Sequence, residues 1–257
     1  MLRFKGIFLL KRLCLLICLF MGTATATENR IPFHPNERLV FEVKWTFIHA
    51  GEAILETRPI ETVKGVQSYH FVMTARTSEF VDLFYKIRDR IDSYSDTMMS
   101  HSLLYMKRQQ GKCKTNIIVD MDWEKGLAKY SNFGKREGSI PIQSESFDPL
   151  SVFYAFRSHT LTEDLIIRIP VTDGKKCIVT HAKVIGRETV QVPSGSFDTF
   201  LVEPEMELID GVFKKSKNAK LHIWVTADSR QMPVRIKSGV KVGSFVAELV
   251  SYELGAP

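Results

Sequence analysis

The run Phe147-Asp148-Pro149-Leu150-Ser151-Val152-Phe153-Tyr154-Ala155-Phe156-Arg157 is the one stretch beyond the N-terminal leader that reads as a helix, and strand-like segments surround it. Asp148 suits the N-cap, and Pro149 falls at the first helical position, where its missing N–H breaks no helical bond. Between Leu150 and Phe156 only Ser151 is polar, so nearly every face of the helix is apolar and must be enclosed. The simplest enclosure is the concave face of a sheet built by the remaining segments.

Those segments carry the period of two that marks a half-buried strand. Leu39, Phe41, Val43, Trp45 and Phe47 alternate with Arg38, Glu42, Lys44 and Thr46, and Tyr69, Phe71, Met73 and Ala75 alternate again. Ser78 to Phe84 reads as a helical turn or an irregular crossover, with Phe80, Phe84 and Tyr85 placed to cap an open end of the sheet. Strands are expected at Lys86–Tyr94, Leu103–Gln109, Cys113–Asp122 and Leu127–Ser131, and, past the helix, in seven further runs from Leu165 to Leu254. Turn residues such as Gln110-Gly111, Asp173-Gly174 and Pro193-Ser194-Gly195 punctuate them. One short helix among so many strands predicts an all-β, mainly antiparallel fold. The expected form is a curled sheet, barrel or half-barrel with the helix on its concave face.

The first residues have the layout of an export signal. Arg3, Lys5, Lys11 and Arg12 precede the apolar run Leu13 to Phe20, and Ala24-Thr25-Ala26 is a small-x-small cleavage pattern. Residues 1–26 are therefore expected to be removed, and 27–257 to form a single β-rich domain in the periplasm of a Gram-negative envelope. A retained membrane anchor is the competing reading, but the uncharged run is short for a bilayer span. Setting the leader aside changes the charge: 35 Lys+Arg against 29 Asp+Glu becomes 31 against 29. The basicity belongs to the leader, and a nucleic-acid role loses its support.

Cys113 and Cys177 are the cysteines left after the leader. Export permits a disulfide between them, which would close a loop worth roughly 4 kcal/mol. Two separate thiols fit the sequence equally well. The seven histidines show no short pair at ligand spacing and no His-Glu-x-x-His, so no metal or other cofactor is expected. Ser194-Gly195-Ser196 reads as a hairpin turn rather than a nucleophile elbow. Asp120 with Asp122, and Asp89 with Asp92, share strand faces at spacing i, i+2, where solvated edges outnumber acid–base pairs. No catalytic residue is assigned. Lys214-Lys215-Ser216-Lys217 reads as a solvated loop that also suits anionic headgroups.

Several stretches together resemble a bacterial exported family known as domain of unknown function 3108. They are Glu37 to Trp45 followed by Ala50-Gly51, Asp148-Pro149-Leu150-Ser151, Val192 to Thr199, and Trp224 to Asp228 with Pro233-Val234. The resemblance implies an envelope location and a β-rich fold, and brings no catalytic residue. A curled sheet around a helix also looks like the periplasmic carriers that shuttle lipoproteins, although fold does not fix function. A sheet this large either fills with side chains or leaves a cavity for an apolar ligand. The expected function is a binding or carrier protein for a lipid or acyl chain, lined by Trp45, Phe47, Phe71, Phe153 and Phe156. The alternative is a structural or adaptor module contacting another envelope protein or the wall through a strand edge. Peripheral membrane contact is compatible with either.

Overall fold

The computed structural model describes residues 31–111, 114–205, 220–239 and 243–256; residues 1–26 (expected to form a leader), Cys113 and the Lys214–Lys217 run lie outside the described residues. The elements in chain order are β1 (Arg38–Trp45), β2 (Ile48–Val63), β3 (Val66–Thr77), α1 (Glu79–Asp82), β4 (Ile87–Asp96), β5 (Ser102–Gly111), β6 (Thr115–Asp122) and β7 (Leu127–Asn132). There follow β8 (Lys135–Pro141), α2 (Ser151–Arg157), β9 (Ile166–Thr172), β10 (Cys177–Val192), β11 (Gly195–Pro204), β12 (Leu221–Thr226), β13 (Pro233–Gly239) and β14 (Ser244–Glu253).

All fourteen strands pair antiparallel in one sheet of order β8-β7-β6-β5-β4-β3-β2-β1-β14-β13-β12-β11-β10-β9. The first and last of the described strands, β1 and β14, thus pair in the middle of the sheet, and the strands meander outward from them to both edges. The two edge strands, β8 and β9, are successive in sequence, and α2 lies on the connection between them. Register shifts at Val40/Phe41, Val43/Lys44, Arg58/Glu61 and Val184/Gly186, among others, bend the strands. The sheet curls but does not close.

The curl brings the β9–β10 turn onto the inner face of β6 and β7. A Cβ on Gly174 would lie 2.8 Å from Val119 and 3.1 Å from the Tyr130 ring, and Gly174 has φ +84°, so a side chain is excluded twice over. Beside it, Lys175 pairs with Glu137 of β8 at 2.9 Å and sits 4.3 Å from the Tyr130 ring centroid. The segment before α2 covers part of the other edge: Phe147 donates to Pro170 at 2.9 Å and accepts from Thr172 at 2.8 Å. Strand β8 stays exposed apart from Ile140.

The alternation read from the sequence sets which side chains fill the concave face. Leu39, Phe41, Leu55, Phe71, Tyr105, Val119 and Leu249 are buried there, with α2 seated against them. Phe71 stacks on Tyr154 of α2 at 3.8 Å, and Phe33 meets Tyr69, Phe71 and Tyr154 edge-on at 5.1–5.4 Å. The helix is enclosed, as its composition requires.

On the opposite face, His70 is buried between two carboxylates, 3.0 Å from Glu61 and 2.9 Å from Asp92, and stacks on Tyr94 at 4.3 Å. Burial pushes the Asp92 carboxyl up, but hydrogen bonds with His70 and Arg90 outweigh it and hold the group at about 2. A depressed carboxyl stabilises the fold above its unfolded value and loses that contribution as pH falls toward the folded one. Asp92→Asn is therefore expected to flatten the stability profile between about pH 4 and pH 2, removing about 1–2 kcal/mol of acid-sensitive stability. Urea titrations of both proteins across that window measure it.

Candidate functional site

The apolar run that demands enclosure is anchored at both ends by buried charge. At its start, Asp148 is fully buried, and its Oδ1 accepts the Leu150 and Ser151 amides at 2.8 and 3.0 Å while its carbonyl accepts the Val152 amide at 3.1 Å. This is capping of the turn that leads into α2, as the sequence suggested. Its Oδ2 accepts the hydroxyls of Ser93 on β4 and Ser102 on β5 at 2.6 and 2.7 Å, and the Ser93 hydroxyl also meets that of Ser151. Four donors satisfy the carboxylate without a cation. One side chain both starts the helix and ties it to the sheet.

At the other end, Arg157 is buried and pairs bidentately with Glu37 at 2.6 and 2.9 Å. It also donates to the carbonyls of Gln231 and Arg230 at 3.0 and 3.1 Å, and lies 5.2 Å from the Phe33 ring centroid. Burial alone would lower its pKa, but the Glu37 carboxylate overcomes this and holds the guanidinium charged. The helix is therefore pinned to the segment before β1 and to the β12–β13 turn.

One face of α2 packs on β3, where Tyr154 stacks on Phe71; the face toward β9 leaves a gap. Pro149, Val152, Phe153 and Phe156 look across a cavity of about 160 Å³ at Ile167, Ile169 and Val171 of β9, Ala182 of β10, Val202 of β11 and Ile223 and Val225 of β12. Its walls are apolar, with His181 and Glu205 at the rim, 2.8 Å apart. Val152 and Phe153 are half-buried, as are Leu221 and Ile223 opposite them. A largely apolar space of this size matches a benzene-sized guest.

The five residues expected to line a ligand site separate into three groups. Phe153 and Phe156 border the cavity. Phe71 faces inward but is filled against Tyr154, so it supports the helix rather than the cavity. Trp45 and Phe47 do not reach it, because the chain turns earlier than the alternation suggests: β1 ends at Trp45, Thr46 has φ +57°, and Phe47 is 94% exposed at the tip. Cys177 opens β10 with its Sγ 3.5 Å from the Ser146 hydroxyl, while the disulfide considered for it involves Cys113, outside the described residues. Asp120 pairs with Lys64, and Asp122 with Lys129 at 2.7 Å, so that acidic pair is neutralised from two sides. Among the described residues no cluster of His, Cys, Asp and Glu has the arrangement to hold a metal ion.

Residues 40–250 match the family described as protein of unknown function DUF3108. The chain belongs to that family. Among solved structures, a beta-barrel-like protein of the domain of unknown function DUF1849 from Brucella abortus superposes with a TM-score of 0.57 at 7% identity, covering 87% of this chain and 99% of that one. That likeness is one of fold. A putative lipoprotein from Parabacteroides distasonis gives 0.35 at 9% identity, covering 87% of this DUF3108 chain and 98% of its own. A putative exported protein with a YmcC-like fold from Bacteroides fragilis gives 0.33 at 10%, with the same coverages. No curated protein matches the chain in sequence.

Proposed function

We propose that this DUF3108 protein is an exported binding or carrier protein of the cell envelope that takes an apolar chain into the cavity beside α2. The single observation that supports the reading most is that cavity: an apolar helix face held off an apolar sheet face by anchors at both helix ends. The charge pattern of residues 1–26 supports the location outside the cytoplasm and in the periplasm.

Magnitude limits the cargo. A space of 160 Å³ takes about five methylene-sized groups, each worth about 0.8 kcal/mol on burial, so before the cost of association the cavity alone supports binding no tighter than about 1 mM. The site suits the end of a chain rather than a whole lipid. Tighter binding follows if the half-buried Phe153 swings outward, since its ring forms part of the wall.

Ala182→Phe puts a ring into the space between β10 and Phe156. Uptake of a fluorescent acyl probe by the purified mature chain is expected to fall at least about tenfold in this variant, with thermal stability held or raised because a void is filled. Equal uptake by both proteins, or no uptake by either together with no lipid in extracts of the native protein, contradicts the reading. The adaptor reading is less well supported. The exposed edge β8 carries Lys135, Arg136, Glu137, Gly138 and Pro141, a composition that discourages strand addition.

A further inference from the structure

Trp45, Phe47, Ile48, Phe80, Leu83 and Phe84 are 41% to 94% exposed, and all sit at one end of the sheet. The β1–β2 turn carries the first three and the α1 connection the rest. The two are tied together by Ser78, whose amide donates to Ala50 at 2.9 Å and whose hydroxyl donates to His49 at 3.2 Å. Six exposed large apolar side chains gathered at one end are the kind of feature that marks an interaction surface.

Beside it, on the face of the sheet opposite α2, lies a groove of about 560 Å³ lined by Arg38, Arg76, Arg88, Arg90 and Arg108, with Glu52 and Asp89. Arg76 stands directly opposite Arg88 across β3–β4, and Arg90 directly opposite Arg108 across β4–β5. Like charges at such positions destabilise a sheet. Neighbouring acids offset part of the charge: Glu52 pairs with Arg76, Asp82 with Arg88, and Asp92 with Arg90. Among the described residues Arg108 has no carboxylate partner, and Asp89 accepts from Gln109 rather than from an arginine. The Arg76–Arg88 row adjoins α1, and the Arg90–Arg108 row lies roughly 7 Å further from the patch.

One wall of the cavity lies toward the same end. Leu221 at its rim pairs with Ser238, Ser238 with Phe245, and Phe245 with Trp45, a single row of roughly 14 Å across three strand spacings.

We propose that this end of the protein docks on an anionic phospholipid surface. Phe47, Phe80, Leu83 and Phe84 enter the boundary between headgroups and acyl chains, and the arginine rows take lipid phosphates. The docking goes beyond the carrier reading and rests on it only for what is exchanged; the contact itself needs no cargo. Apolar side chains backed by guanidinium groups match a bilayer interface, where a soluble anion would leave the aromatics without a role.

Flotation of the purified mature chain with vesicles tests it. The protein is expected to float with phosphatidylethanolamine–phosphatidylglycerol vesicles and not with phosphatidylcholine alone. Phe47→Ser with Phe84→Ser is expected to lower partition about tenfold, and Arg76→Gln and Arg108→Gln roughly fivefold each, the arginine share vanishing at high salt. Vesicle binding is expected to shift Trp45 emission to the blue, a change lost in Trp45→Phe, and free glycerol phosphate is expected not to displace the protein. No flotation, or equal flotation of every variant, overturns the proposal and assigns the patch to a protein partner. Displacement by glycerol phosphate, with the Phe variants unaffected, reduces the groove to a soluble-anion site and overturns it too. Acyl-probe uptake persisting without flotation leaves the carrier reading intact, so the two failures are distinct.

Discussion

Arg157→Met is expected to lower the stability of the fold by about 3–5 kcal/mol, because it leaves the Glu37 carboxylate buried without its cation. The carbonyls of Arg230 and Gln231 lose their donors in the same step. For a domain of this size the loss corresponds to a fall in Tm of about 6–20 °C. The double replacement Glu37→Leu with Arg157→Met removes both charges, and is expected to recover most of the deficit, since apolar groups of similar volume replace a buried pair at little net loss. Denaturant titration of the two variants reads this directly. A single-variant loss below about 1 kcal/mol would mean that the C-terminal end of α2 is not held inside the sheet.

Asp148→Ala carries the second largest effect, about 3–4 kcal/mol. It removes a helix cap worth about 1 kcal/mol and takes the charged acceptor from two buried hydroxyls at about 1–1.5 kcal/mol each, Ser93 keeping its contact with the Ser151 hydroxyl and Ser102 still accepting the amide of residue 148. Asp148→Asn separates these contributions. The amide oxygen still accepts from Leu150 and Ser151, and the serine hydroxyls can rotate to accept from its NH2 group, so the expected loss is about half as large. Equal losses for Ala and Asn would show that the negative charge itself matters there.

The location of the helix was legible because a seven-residue apolar element has few places to go, and the sheet because alternation reports one wet face and one dry one. What stayed hidden was long-range. Glu37 and Arg157 are 120 positions apart, and nothing local distinguishes a buried Arg at the end of an apolar run from a solvated one. The signal available was the position of Arg157 in line with that run. Ile167, Ile169 and Val171 show the period of two as clearly as Phe71 and Met73 do, but alternation does not say which strand faces which side of a helix. That is why alternation could not single out the wall on β9 and β12, whereas Phe153 and Phe156, on the helix itself, border the cavity.

Local misreadings have local causes. Strand β8 reads Lys-Arg-Glu-Gly-Ser-Ile-Pro, without apolar alternation, because as an exposed edge it has no dry face to record. Strand β10 runs unbroken from Cys177 to Val192, and the register shift at Val184/Gly186 absorbs Gly186 as a bulge. The Trp45–Phe47 region failed in the opposite sense, since good alternation continued through a turn whose φ of +57° falls on Thr46, a residue with no turn signature.

Photo-crosslinking with a diazirine-tipped fatty acid tests the central claim most directly, because it reports where the end of an apolar chain resides. Peptide mapping after irradiation of the mature protein is expected to place adducts on Val152, Phe153 or Phe156 of α2 and on the facing Ile169, Ala182 or Ile223, and Ala182→Phe is expected to abolish them. Adducts confined to Phe47, Phe80 or Phe84 on the outer end, or an inner pattern indifferent to Ala182→Phe, would contradict the account.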